Sequence, residues 1–260
     1  MKQCVLAMCC AAALLGCKAP ASGGIDNTPS ATRNEPVPRE RETRRERREE
    51  RRDGGFGASS SNETGRNGGG SHRSRPDRNS QPGQFDFYLL NLSWSPEFCV
   101  MHPSSEECAR HPGFVVHGLW PQNSDGTYPE HCSDAPGPTN PQAHTDLMPT
   151  ASLVMHEWQT HGTCSGQTAD QYFNTVGRAF HEVVIPPSYR RVAGETALPP
   201  DAIVRQFAEA NPSFPADSFA VSCGNNHLTA IEICLSKDLQ PEGCANVRSC
   251  HANLVRITPQ

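Results

Sequence analysis

The stretch that says most about this 260-residue chain is Met155-His156-Glu157-Trp158-Gln159-Thr160-His161-Gly162-Thr163-Cys164. It places two imidazoles and a carboxylate just ahead of a cysteine. An earlier stretch, Phe114-Val115-Val116-His117-Gly118-Leu119-Trp120-Pro121-Gln122, supplies a third imidazole. No serine-nucleophile motif or nucleotide-binding loop accompanies them. The pattern therefore predicts acid/base chemistry on a substrate that carries its own nucleophile, and RNA with its 2′-hydroxyl is such a substrate.

The spacing of the two later histidines argues against a zinc-protease helix, which needs its histidines at i and i+4. His156 and His161 are five residues apart and would diverge by about 140° on a helix. Glu157 and His161 are the i, i+4 pair. On a helix the carboxylate can therefore orient that imidazole, stabilise its charged form, or contact a reacting phosphate together with it. We expect no metal and no cofactor.

The two stretches closely resemble the active-site segments of the ribonuclease T2 family, acid endoribonucleases that need no metal and have little base specificity. Two further segments extend the resemblance: residues 87–96, FYLLNLSWSP, resemble the first strand of the family, and residues 125–129, DGTYP, follow its first active-site segment. The resemblance covers about residues 85–260. It implies cleavage of RNA to 2′,3′-cyclic phosphate products, with no action on DNA.

The resemblance also implies roles for the four residues. His161 is the expected base that takes the 2′-hydroxyl proton, and His117 is the expected acid that protonates the departing 5′-oxygen. His156 would hold the phosphate and Glu157 would support the developing charge. The assignment of acid and base between His117 and His161 stays open.

Four more residues are candidates for substrate binding. Trp120 and Tyr128 could stack on a base, although core packing is the alternative for each. Thr160 stands where family members often have a lysine, which removes one cation from the phosphate site. Gln122 stands where an aspartate often helps choose the base, so no base preference is predicted. The remaining histidines are interpreted as surface or structural: His102, His111, His131, His144, His181, His227 and His251.

Cysteine usage predicts an oxidising compartment. Eight of the twelve cysteines lie in residues 85–260, an even number that suits disulfides and allows 105 pairings. The family resemblance implies the pairs Cys99–Cys108, Cys132–Cys164, Cys223–Cys250 and Cys234–Cys244. The second of these would tie the loop after the first active-site segment to the end of the second.

The N-terminal third predicts export on a tether. Residues 1–16 are interpreted as a signal peptide, since their apolar run is too short to span a bilayer. Leu14-Leu15-Gly16-Cys17 resembles a bacterial lipobox, with Cys17 as the lipidated residue and membrane anchor; a plain secretory signal is the alternative. Residues 17–84 are poor in large apolar side chains and rich in charge, which predicts a disordered tether. We expect a periplasmic or surface-facing location.

Charge excludes a basic RNA-binding surface. From residue 85 onward the chain has eight Lys or Arg and eighteen Asp or Glu, a net charge of −10. RNA binding must then be local, through the histidine cluster and a few aromatic platforms. The 176 residues suffice for one core, and we expect a monomer.

Periodicity predicts an α+β fold with an antiparallel sheet. Strands are predicted at 85–94, 114–119, 218–223 and 228–235, and helices near 150–161, at 168–183 behind a Thr168 cap, and at 200–210. No βαβ rhythm appears.

Two other function classes compete with an RNA-cleaving enzyme. The first is a catalytically impaired, lipid-anchored RNA-binding or interaction protein with the same fold, against which the complete set of His117, His156, Glu157 and His161 argues. The second is a cell-wall or peptide hydrolase, for which the sequence offers neither a nucleophile elbow nor a metal-binding helix.

Overall fold

The computed structural model describes residues 75–77, 80–110, 113–244 and 246–260. The predicted signal peptide, Cys17 and most of the predicted tether lie outside these residues. The strands are β1 Arg75–Pro76, β2 Phe87–Trp94, β3 Phe114–Gln122, β4 Thr127–Tyr128, β5 Thr196–Leu198, β6 Phe219–Gly224, β7 His227–Ser236 and β8 Val255–Ile257. The α-helices are α1 Ser95–Met101, α2 Ala151–Thr160, α3 Ala169–His181 and α4 Pro200–Ala210. Short 3-10 turns cover Glu106–Arg110, Pro141–His144, Gly162–Ser165, Pro187–Tyr189 and Ala216–Ser218.

The main sheet has six strands in the order β3-β2-β7-β8-β5, with β6 also paired to β7. The pairs β2–β3, β2–β7, β6–β7 and β5–β8 are antiparallel, and only the single His227–Arg256 register between β7 and β8 is parallel. A separate two-stranded ladder joins β1 and β4 in parallel. The fold is therefore α+β around an antiparallel sheet, as predicted.

The two faces of the sheet differ in composition because strand side chains alternate. Even-numbered residues of β2, such as Leu90 and Leu92, are fully buried in the main core, where the helices cover them. Odd-numbered residues face the other way: Phe87 and Leu89 form a smaller cluster with Cys234. Further along the same face, Asn91 and Ser93 replace apolar residues, so this face becomes polar toward one end of β2.

Helix α3 shows how the local sequence prediction carries into packing. Thr168 accepts from the Gln171 backbone N–H and Gln171 reaches back to the Thr168 backbone, which completes the predicted cap. Tyr172 and Phe173 are buried in the core, and the Tyr172 hydroxyl donates to the Leu119 carbonyl at 2.9 Å. The helix is thus attached to β3.

Five of the described strands and α-helices were not predicted. Helix α1 follows β2 without a loop, and the strands β1, β4, β5 and β8 have two or three residues each, too few for a visible period. The last described residues of the predicted tether contact the following domain. Pro76 pairs with Tyr128, and the Gly83 N–H donates to the Cys164 carbonyl at 2.8 Å. The described residues before position 85 therefore pack on the domain.

The four disulfides among the described residues join the pairs that the family resemblance implies. Among the described residues, no helix combines the length and apolar character needed to cross a membrane.

Candidate active site

A β-bulge in β3 sets the position of His117. The register with β2 passes from Asn91–Gly118 to Leu92–Val116 and skips His117. Val116 and Leu119 are both fully buried in the core although they are three residues apart, which an unbroken strand with period two does not allow. The inserted residue also brings His117 and Trp120 onto the opposite face together, with ring centroids 5.8 Å apart.

Helix α2 supplies the other charged groups from the side of β3. It begins behind Thr150, whose hydroxyl accepts from the Leu153 N–H at 3.1 Å. Val154 and Trp158 anchor it in the core. His161 is its C-cap residue, with its N–H bonded to the Glu157 carbonyl at 3.0 Å. The helix therefore carries His156, Glu157 and His161 to the bulge.

The carboxylate of Glu157 contacts the first segment rather than His161. Trp120 donates its indole N–H to Glu157 Oε2 at 2.7 Å, and Oε1 lies 3.4 Å from His117 Nε2. The distance to His117 meets the limit for an ion pair, but the geometry is not that of a hydrogen bond. The i, i+4 spacing predicted that Glu157 could orient His161; the structure gives this contact to His117, because the bulge turns that imidazole toward the helix.

Trp120 lies close to both imidazoles. Its ring is 5.2 Å from the His161 ring, and its other neighbours include the apolar cluster of Phe87, Leu89 and Cys234. His161 Nδ1 is buried and has no hydrogen-bond partner in the described part of the chain. The indole is therefore close to both imidazoles and also donates to the Glu157 carboxyl group.

Gly118 is required by this arrangement. A Cβ at this position would overlap the Glu157 carboxylate and the Trp120 indole nitrogen. Both atoms belong to side chains held by the hydrogen bond between them, so neither can move aside without breaking it. The glycine allows α2 to approach β3 closely enough for Glu157 to reach His117.

Burial controls the protonation of the cluster. It raises the pKa of Glu157 to about 8, against a smaller lowering by the Trp120 hydrogen bond. Burial and then the charge of His156 lower the pKa of His117 to about 4. An ion pair would favour an ionised Glu157 and a protonated His117. However, the Glu157 side chain is only 1% exposed, whereas the His117 side chain is 20% exposed. Desolvation of the carboxylate therefore dominates, and the free site has a neutral carboxyl group beside a neutral imidazole.

His161 has its pKa well below the ordinary value. Burial is the largest cause, followed by the charges of His156, His117 and His131. His156 thus acts electrostatically on both of the other motif histidines. His131 was interpreted as outside the site. However, its backbone N–H donates to the Thr160 carbonyl at 2.8 Å, next to the Cys132–Cys164 disulfide. The neighbouring cysteine was the available sequence signal for it.

Further residues that the sequence analysis missed lie behind His117. Ser93 Oγ is 3.2 Å from His117 Nδ1, and Ser93 also bonds to Asn91, which contacts Glu232. Asn91, Ser93, His117, Trp120, Thr229 and Ala230 line one small cleft. No local motif marks Asn91 or Glu232, because they meet only through the pairing of β2 with β7.

The three other residues predicted to bind substrate lie on three different elements of the fold. Gln122 ends β3 on the face of Trp120 and is half-buried. Tyr128 is half-buried on β4, where its pKa is raised by burial. Thr160 is 8% exposed at the end of α2. Among the described residues, no group of three or more His, Cys, Asp or Glu side chains is arranged to hold a metal ion.

A model of the ribonuclease T2 family matches residues 85–244. A ribonuclease of Aeromonas hydrophila is 47% identical over 88 residues, which are 33% of this chain and 40% of that protein. Ribonuclease DdI of Dictyostelium discoideum is 30% identical over 182 residues, which cover 61% of this chain and 77% of that protein. The structure of RNase NT in complex with 5′-AMP superposes with a TM-score of 0.55 at 18% identity, covering 68% of this chain and 100% of that one, which shows the shared fold.

Proposed function

Because the chain belongs to the ribonuclease T2 family, we propose that it is an endoribonuclease that cleaves single-stranded RNA without a metal ion or cofactor, as a monomer. The observation that carries the proposal is the meeting of His117 from β3 with Glu157 and His161 from α2 around one indole ring. The charge of His156 acts on both imidazoles. The solved relative RNase NT is in complex with 5′-AMP, which supports a nucleotide substrate at such a fold.

The proposed reaction is an internal transfer at phosphorus. The RNA 2′-oxygen loses its proton to His161 and bonds to the adjacent phosphorus, while the bond from phosphorus to the 5′-oxygen breaks and that oxygen takes a proton from His117. The products are a 2′,3′-cyclic phosphate and a free 5′-hydroxyl. A low pKa suits His161 to the role of base, since it keeps the imidazole neutral before the reaction.

The acid needs a proton that free His117 does not hold. Glu157 holds one 3.4 Å from His117 Nε2. The negative phosphate favours an imidazolium, so substrate binding would move this proton from Glu157 to His117 without uptake from solvent. His156 supplies positive charge to the phosphate. Glu157 and His117 therefore act as one proton-sharing pair in the proposed mechanism.

A chimeric oligonucleotide tests the proposal sharply. The full chain, in excess chelator, is given a DNA strand that contains one ribonucleotide, with the all-DNA strand as matched control. We expect cleavage only on the 3′ side of the ribonucleotide, with a cyclic phosphate detected by mass spectrometry. Cleavage of the all-DNA strand, or loss of activity in chelator, would contradict the chemistry. Binding without cleavage would favour the non-catalytic RNA-binding alternative.

We also propose that the protein is exported and anchored through lipidated Cys17. The four disulfides support an oxidising compartment, and the lipobox-like Leu14-Leu15-Gly16-Cys17 supports the anchor. In cells that express the full chain, Cys17→Ser should move the protein from the membrane fraction to the soluble fraction and abolish labelled fatty-acid incorporation. A wild-type protein that is soluble and begins far downstream of residue 17 would contradict the anchor.

A further inference from the structure

A chain of polar side chains crosses three strands behind His117. Glu232 on β7 lies directly opposite Asn91 on β2, and Asn91 Nδ2 donates to Glu232 Oε1 at 3.4 Å. Ser93 Oγ donates to Asn91 Oδ1 at 3.2 Å, and the same oxygen lies 3.2 Å from His117 Nδ1. Asn91 is 4% exposed in the middle of the sheet. The chain thus links a carboxyl group of β7 to the imidazole at the bulge.

The direction of these hydrogen bonds follows from what each group can donate. An ionised carboxylate only accepts, so Asn91 must turn its NH₂ toward Glu232 and its carbonyl oxygen toward Ser93. Ser93 has one hydroxyl hydrogen and gives it to that oxygen. Its lone pair is then left for His117, whose Nδ1 must carry a hydrogen to make the contact.

The other side of His117 is compatible with the same tautomer. Oε1 of Glu157, whose carboxyl group burial keeps protonated below a pKa of about 8, lies 3.4 Å from Nε2 without the alignment of a hydrogen bond. A bare Nε2 does not oppose the carboxyl proton, whereas an Nε2–H group would. Trp120 occupies the second oxygen of Glu157 as a donor. Both neighbours of the ring therefore favour hydrogen on Nδ1.

We propose that Glu232 is a positioning residue whose ionised carboxylate, acting through Asn91 and Ser93, holds His117 in the tautomer that carries hydrogen on Nδ1. This leaves Nε2 as the nitrogen that gains and loses the catalytic proton. The inference rests on the proposed function only for its effect on turnover; the tautomer is a property of the RNA-free protein. Burial raises the pKa of Glu232 to about 7, with the Asn91 bond opposing, so the hold strengthens as Glu232 ionises.

The groups that bear on this equilibrium come from three directions. Glu157 and His156 on α2 and His161 at its end act on the cluster from the helix side. Glu232 acts from β7 through Asn91 and Ser93 on β2. If Glu232 is protonated it can donate to the Asn91 carbonyl, which lets the amide reverse. Ser93 would then donate to Nδ1, and the hydrogen on the neutral ring would move to Nε2.

The experiment reads the tautomer directly by long-range ¹H–¹⁵N spectroscopy on the full, histidine-labelled chain without RNA, at a pH between the Glu232 pKa of about 7 and the Glu157 pKa of about 8. His117 is assigned from its missing signals in His117→Asn. We expect the Nδ1–H form in the wild type. Glu232→Met, which keeps the bulk but accepts nothing, and Ser93→Ala should both raise the Nε2–H fraction. Ser93→Thr, which restores the hydroxyl, should return the wild-type value. Glu209→Gln, an exposed glutamate on α4, is the matched charge control.

The outcomes separate this inference from the proposed function. An Nε2–H form of His117 in the wild type, or an unchanged tautomer in folded Glu232→Met, would overturn it. If Glu232→Met does not fold, the wild type decides at a pH between the His117 pKa of about 4 and the Glu232 pKa of about 7, where an unchanged tautomer would overturn it. RNA cleavage is measured separately. If the variants shift the tautomer of His117 but the wild type does not cleave RNA, the proposed function is wrong and the role of Glu232 in setting the tautomer is confirmed. With both correct, Glu232→Met lowers kcat more than it raises KM.

Discussion

His117 and Trp120 lie on the same face of one strand although they are three residues apart, with ring centroids 5.8 Å from each other. The bulge at His117 makes this possible, and Glu157 then contacts both side chains. One inserted backbone residue therefore assembles an imidazole, an indole and a carboxyl group that a regular strand would separate. The following predictions test this assembly.

Removing either proposed proton-transfer group should nearly abolish RNA cleavage. His117→Ala and His161→Ala should each lower kcat by about two to four orders of magnitude, the usual worth of positioned acid/base catalysis. Initial rates in chelator measure the effect. His251→Ala, at an exposed histidine, should stay at the wild-type rate. A rate within about tenfold of the wild type for both site variants would show that the reaction occurs elsewhere.

Trp120→Phe should separate positioning from stacking. The variant keeps an aromatic ring but loses the N–H that donates to Glu157 Oε2 at 2.7 Å. An unpaired buried oxygen costs about 1–3 kcal/mol, so we expect kcat to fall about 5- to 150-fold with little change in KM. Trp120→Ala should raise KM as well if the ring stacks on a base. A Trp120→Phe enzyme with unchanged kcat would mean that the hydrogen bond does not serve catalysis.

The stability of the fold should fall as pH rises toward 8. Folded Glu157 keeps its proton up to a pKa of about 8, while an unfolded glutamate releases its proton near about 4.3. Its stabilising contribution is therefore complete below the unfolded value and is lost as pH passes the folded value. Glu232, with a pKa of about 7, acts in the same direction.

Urea unfolding at a series of pH values measures this effect. His117 acts in the opposite direction, but only between its folded pKa of about 4 and its unfolded value near about 6.5, so the window above about 6.5 isolates the carboxyl groups. Glu157→Gln should flatten the decline in that window, and Glu195→Gln, at an exposed glutamate, should leave it unchanged. A wild-type stability that rises from about pH 6.5 to 8 would contradict the neutral state of Glu157.

Thr160→Lys should extend RNA cleavage toward neutral pH. The domain has Lys237 as its sole lysine, so the phosphate site depends on imidazolium charge, which fades as pH rises through the histidine range near about 6.5. A lysine stays charged there. The pH dependence of kcat/KM decides, with Gln159→Lys on the exposed side of α2 as the matched charge control.

Thr160 is 8% exposed, so a lysine reaches the phosphate only if its stem runs past the helix end. If kcat/KM of Thr160→Lys near neutral pH equals that of the wild type, and the melting temperature is preserved, position 160 does not reach the phosphate. If Thr160→Lys and Gln159→Lys change the pH dependence of kcat/KM equally, the effect comes from net charge and not from the position of the lysine.

The sequence alone determined the elements whose signals are local. Alternation along Leu228–Leu235 predicted β7, and the Thr168 cap and the spacing of Tyr172 and Phe173 predicted α3. The segments that carry His117 and the pair His156 and His161 indicated the candidate site. These signals depend on neighbours within about two helical turns, where period and capping chemistry operate. The family resemblance added the disulfide pairs, which spacing could not choose.

Only the tertiary structure decided how the site residues meet. The skipped register at His117, the transfer of the Glu157 contact from His161 to His117, and the line from Glu232 through Asn91 to Ser93 all depend on strand pairing and on how α2 approaches β3. Glu232 and Asn91 are 141 residues apart in the chain. Burial, which separates the pKa values of Glu157 and His117, exists only after packing has removed water from around the carboxyl group. A linear pattern names such groups, whereas desolvation and long-range register determine what they do.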